Sequence, residues 1–192
     1  MTVAVPDQRR LWDAYGHAMG AIGGVELLLR VALINSAVSK MAADGDTSEE
    51  RRKSELKKIQ SRTLGPTVAV FKADYPEFEI DAAFCESIEN AIYCRNQLAH
   101  HFVENNLHAF SSEEGIELAT LGCIEHMEHF QSLERYIRDN CPIDFDAFFN
   151  LDPSRSDEFV KNHPLRDKLQ AIKDGRLAWA ERPHSGPLDE PA

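Results

Sequence analysis

Apolar side chains recur at intervals of three and four along most of the chain, and nowhere with the alternation of a strand. The pattern predicts an all-α protein. A first helix spans Gln8 to Met41, with Leu11, Trp12, Tyr15, Met19, Ile22, Val25, Leu29, Ala32 and Leu33 on its apolar positions. From Val25 it is apolar nearly all round, as a central helix is, and Asp44-Gly45 ends it. Gly16, Gly20 and Gly24 stand four apart. Each costs up to about 1 kcal/mol of helix propensity, which points to close approach by a neighbouring helix or to a frayed first half.

Thr47 with Glu50 has the spacing of a capping box, opening a basic second helix that reaches Leu64 before Gly65-Pro66. Thr67 to Phe71 adds a short turn, and Asp74 to Glu79 reads as a proline-containing loop. Asp81 caps a third long helix. Ser111 with Glu114 opens a fourth, which Cys141-Pro142 stops near Asn140. The expected architecture is an up-and-down four-helix bundle over 1–142. A partly helical C-terminal extension over 143–181 follows, with Phe145, Phe148, Phe149 and Leu151 docking a short helix and Leu165 to Lys173 forming another. Residues 182–192 hold three prolines and a glycine and read as a disordered tail.

One position breaks the pattern. With Asp81 to Val103 on a wheel of about 100° per residue, Phe84, Ile88, Ala91, Ile92, Leu98, Ala99 and Phe102 fall within about 60° of Arg95. An arginine so placed needs a carboxylate, a wet cleft or an anionic ligand. Glu26 is a candidate carboxylate. On the same wheel Asn96 lies at about 100° and His100 at about 140°, on the flank of the stripe, with Glu89 nearby at about 120° and His101 at about 240°.

The net charge of −11, from 32 acids against 21 bases, is the wrong sign for nonspecific coating of nucleic acid, although it leaves room for a local basic cleft. Arg51, Arg52, Lys53, Lys57, Lys58 and Arg62 form the densest basic run. It reads either as a guide for a polyanion, through Arg51, Arg52, Lys57 and Lys58, or as a solvated face balanced by Glu49, Glu50 and Glu55. Cys85, Cys94, Cys123 and Cys141 lack metal-ligand spacing and read as reduced thiols of a cytoplasmic protein. His126 and His129 stand one turn apart without the zincin order or a third ligand, so no metal or other cofactor is expected. The most apolar stretch, Val25 to Ile34, is interrupted by Glu26 and Arg30 and falls short of the ~20 residues of a membrane span, so no membrane association is expected. Trp12 and Trp179 read as packing residues.

Arg95-Asn96-x-x-x-His100 on the C-terminal half of a bundle helix resembles the signature of the HEPN superfamily. The basic second helix, the Leu64-Gly65-Pro66 turn and the final amphipathic helix agree with it over Leu11 to Asn140. The resemblance implies a metal-independent endoribonuclease, a hydrolase in which two chains pair through the motif helix. Arg95 would neutralise the scissile phosphate, His100 would transfer protons, and Asn96 would orient His100 or hydrogen-bond the phosphate. From their places on the wheel, His101 and Glu89 read as auxiliary residues beside the site or as solvent-facing side chains. The products would be a 2′,3′-cyclic phosphate and a 5′-hydroxyl end. Toxin–antitoxin or phage-defence work, with an antitoxin or neighbouring-gene protein as partner, belongs to the same implication. The alternative is a non-catalytic bundle of this kind that binds RNA or a nucleotide, or acts as an assembly partner.

Overall fold

The computed structural model describes residues 7–46 and 48–145. The expectations for Phe148, Phe149, Leu151, Leu165 to Lys173, Trp179 and 182–192 lie outside them, as does the capping residue Thr47. Every regular element among the described residues is helical. They are α1 (Arg9–Ala43), α2 (Glu49–Gln60), α3 (Leu64–Asp74), α4 (Pro76–Glu79), α5 (Ala82–Asn96), a π-turn (Gln97–His101), α6 (Phe102–Asn105), a 3-10 turn (Ala109–Ser111) and α7 (Glu113–Asn140).

α1 is the axis. It packs most extensively on α7, then on α3 and α2, while α5 lies against α7. Leu11, Ala18, Ile22, Val25, Leu28, Leu29 and Leu33 of α1 are buried, as are Ile116, Cys123, Phe130, Leu133 and Ile137 of α7. An aromatic group of Phe71, Tyr75, Phe78, Phe84 and Tyr136 closes one end. Trp12, Tyr15, Phe102 and Phe110 close the other, where Trp12 packs as expected. By length and composition α1 would suffice to cross a membrane, a wider apolar window than Val25 to Ile34 alone suggests.

Several boundaries differ from expectation for local reasons. The basic helix stops at Gln60, so Leu64-Gly65-Pro66 is the first turn of α3 and not a bend ahead of a loop. Proline is tolerated there because the amide it lacks would have no intrahelical partner. Pro76 likewise opens α4 within the expected loop. The residue preceding α2 is Ser48, and its side chain makes no cap; the Thr47–Glu50 box lies outside the described residues. The second box slips by one: Ser112, not Ser111, accepts from the Gly115 amide at 3.1 Å. Asp81 caps α5 as expected, accepting from the Phe84 amide, and also receives the Tyr136 hydroxyl. Gly45, at φ 70, takes the left-handed position that ends α1.

The glycines separate into two kinds. A Cβ at Gly16 or Gly20 would meet nothing within 4 Å, so close helix approach does not explain them; at Gly24 it would come 2.9 Å from Glu134 Oε2. A Cβ at Gly115 would come 2.6 Å from the Ala109 carbonyl oxygen and 2.7 Å from its Cα, both backbone. Gly20→Ala is therefore expected to stabilise the protein by about 0.5–1 kcal/mol. Gly115→Ala is expected to destabilise it, with urea midpoints moving in opposite directions for the two variants. Equal shifts would contradict this reading.

Cys94, Cys123 and Cys141 are buried, Cys85 is partly so, and all four are unbridged. Burial pushes the Cys123 and Cys141 thiols up to about 11 and the Tyr75 phenol up to about 12. In the unfolded chain the thiols ionise near 9.0, so above that pH the unfolded state gives up protons that the folded state keeps. Stability is fully present below that value and lost as pH rises through the alkaline range. The urea midpoint should fall between about pH 9 and pH 11, with a shallower fall in Cys123→Ala. A midpoint flat across that range would contradict the assignment.

Candidate functional site

The Arg95-Asn96-x-x-x-His100 run spans the end of α5 and the π-turn. Phe84, Ile88, Ala91, Cys94 and Leu98 are the buried positions here, so the core-facing stripe is rotated toward Cys94. Arg95 sits at its edge and not at its centre, with its side chain 24% exposed. Asn96 and His100 are exposed.

The π-turn decides the geometry. A wide turn of i→i+5 hydrogen bonds inserts about one residue into the helical repeat. His100, at about 140° from Arg95 on a regular wheel, is brought back by about 100° to nearly the same face. Arg95 Nη1 accordingly lies 3.0 Å from His100 Nε2, and it also donates to Asn96 Oδ1 at 3.3 Å. The turn is braced from α1, where the Tyr15 hydroxyl donates to the Leu98 carbonyl at 3.2 Å. Across the turn, Asn105 Nδ2 donates to Gln97 Oε1 at 2.6 Å.

Glu26 of α1 approaches from the opposite side. Its Oε1 is 3.7 Å from Arg95 Nε, too long for a good hydrogen bond but within ion-pair range, and its Oε2 accepts from Arg30 Nη2 at 3.1 Å. Arg30 also donates to the Arg62 carbonyl at 3.1 Å, while its Nε is buried without a partner. Two guanidiniums share one carboxylate, which leaves a local surplus of one positive charge in an acidic protein. Sequence reasoning found Arg95, Asn96 and His100 and named Glu26. It missed Arg30, whose signal was the i,i+4 pairing with Glu26 on α1.

A guanidinium can only donate, so a hydrogen bond across this contact has His100 Nε2 as its acceptor. That nitrogen can take a proton once Arg95 turns to an anion.

The other expected residues lie apart. Glu89 is exposed and takes no part in the cluster. His101 turns to Glu104, with Nδ1 3.5 Å from Oε2. Arg51 is held by Asp44 and Asp46 near the start of α2, about 13–14 Å along the helix axis from Gln60 at its other end. Lys58 pairs with Glu55 and Lys53 with Glu49. Arg52 and Lys57 are exposed and form no ion pair among the described residues. Three of the six bases are thus ion-paired, two of them with the expected Glu49 and Glu55.

Comparison with known protein families, curated proteins and solved structures finds no match. The site must be read from its own chemistry. Among the described residues no group of three or more His, Cys, Asp or Glu is placed to hold a metal ion. His129 Nε2 contacts the Ser87 carbonyl at 3.0 Å, a contact that ties α7 to α5.

Proposed function

We propose that this chain is an endoribonuclease of HEPN type, folded as an up-and-down bundle whose motif helix pairs with that of a second copy. The single observation that carries the reading is the 3.0 Å Arg95–His100 contact at a position that solvent reaches.

The chemistry follows from these groups. A bound phosphodiester draws Arg95 away from His100, because a planar, permanently charged fork matches two phosphate oxygens. His100 Nε2 is then free to take the proton from the ribose 2′-hydroxyl. The 2′-oxygen forms a bond to phosphorus, the bond from phosphorus to the 5′-oxygen breaks, and a proton is delivered to the leaving oxygen. One copy supplies one imidazole on this face, so the second proton transfer falls to His100 of the second copy. Arg30 keeps Glu26 occupied, so that the carboxylate does not neutralise Arg95 completely. Phage defence or a toxin–antitoxin pair, in the cytoplasm, is the setting that the resemblance carries.

A second reading, a non-catalytic bundle that binds RNA or nucleotide or serves as an assembly partner, draws support from the Glu26–Arg95 ion pair and from the charge of −11. The two separate in one assay. Purified protein incubated with mixed-sequence RNA in EDTA should release fragments, and Arg95→Ala protein should not. Wild-type protein that binds RNA without cutting it would select the second reading.

A further inference from the structure

A cleft of about 640 Å³ lies away from Arg95. It lies on the other flank of the motif helix, between the π-turn with α6 and the N-terminal half of α7. Its size is that of a small-molecule site. No Asp, Glu, Lys or Arg lines it, although 28% of the chain is charged. The wall therefore carries no lysine, arginine or carboxylate, and this favours an uncharged ligand.

The polar groups that do line it are amides and imidazoles. Asn105 Nδ2 donates to Gln97 Oε1, which leaves the Gln97 Nε2 amide as a donor and Asn105 Oδ1 as an acceptor on the lining. Tyr93 and Leu118, large apolar side chains more than half exposed, stand at the rim. His126 lies within it, and burial holds its imidazole below the ordinary range, so that ring is uncharged as well. Gly122 points the same way. It sits inside α7, where glycine costs up to about 1 kcal/mol, yet a Cβ there would meet nothing within 4 Å. The wall is thus open at Gly122, where a larger side chain would project into the cleft.

We propose that this cleft binds an uncharged planar heterocycle carrying a hydrogen-bond donor beside an acceptor, the lactam or amidine edge that a nucleobase presents. The ring lies along Gly122 between Tyr93 and Leu118, and its polar edge meets the Gln97–Asn105 pair. The site holds no cation and does not depend on Arg95, so it stands whether or not the chain cuts RNA.

The test titrates the full chain with adenosine, guanosine, cytidine and uridine, and separately with a short single-stranded RNA. The expected result is saturable binding of at least one nucleoside. Gly122→Leu should weaken that binding by about tenfold or more while circular dichroism and thermal midpoint are retained; Gln97→Ala should weaken it too, and Arg95→Ala should leave it unchanged. If the RNA binds more tightly than the nucleoside and loses affinity in Gly122→Leu, the ligand is a base within a strand. If the RNA is indifferent to Gly122→Leu, it is a free base or nucleoside. No saturable binding of any nucleoside to wild-type protein, or equal binding to Gly122→Leu, would overturn the proposal.

Discussion

Arg95→Ala is expected to lower RNA cleavage by about 10³-fold or more, the scale on which the loss of an electrostatic donor to a developing charge is felt. His100→Gln is expected to lower it by about 10²–10⁴-fold, the usual contribution of a positioned proton-transfer group. Arg95→Lys should recover little, because an ammonium lacks the planar fork that meets two phosphate oxygens together. These are losses of chemistry and not of fold. Removing Arg95 leaves Glu26 still bound to Arg30 at 3.1 Å, so no carboxylate is stranded. Glu26→Ala is the informative contrast. It frees both guanidiniums on α1 and α5, and should raise affinity for RNA while weakening the fold. Helical circular dichroism and gel-resolved cleavage of the four variants check the set. Cleavage by Arg95→Ala at the wild-type rate would remove the enzyme reading.

The largest expected effect on stability lies in α7. Phe130 is fully buried and contacts the rings of His126 and His129. Phe130→Ala removes its transfer energy and leaves a void, a loss of about 3–5 kcal/mol. A domain holds only about 5–15 kcal/mol in total, so this one change should bring the protein close to unfolding at ambient temperature. Trp12→Ala, at the half-exposed end of α1, should cost clearly less. Urea denaturation orders the two, and a Phe130→Ala loss below about 1 kcal/mol would mean that α7 does not pack on α1 as described.

How much was readable in advance follows from the range of each interaction. The long helices α1, α5 and α7 announced themselves because their period is repeated over many residues. Gly45 and Asp81 marked helix ends because each acts on its own backbone. The Ser111–Glu114 box slipped by one because any serine near an acid satisfies the spacing, and which one caps depends on the incoming loop. Arg95 looked central because Cys94 was not counted among the apolar positions; as a buried small side chain it belongs there, and including it rotates the stripe. The π-turn was invisible. Its Leu98 carbonyl is met by the Tyr15 hydroxyl from 83 positions away, and a regular wheel sets Arg95 and His100 on different faces. Arg30 was missed for a similar reason, since it joins the site through a carboxylate shared between two helices.

The central claim is that Arg95 and His100 together promote attack of a ribose 2′-hydroxyl on its neighbouring phosphate. The most direct measurement is the mass of the RNA ends left by purified full-length protein in EDTA. The account predicts 2′,3′-cyclic phosphate and 5′-hydroxyl ends, and an intact strand when the nucleotide at the cut carries 2′-deoxyribose. Ends bearing 3′-hydroxyl and 5′-phosphate, or cutting that ignores the missing 2′-hydroxyl, would contradict it.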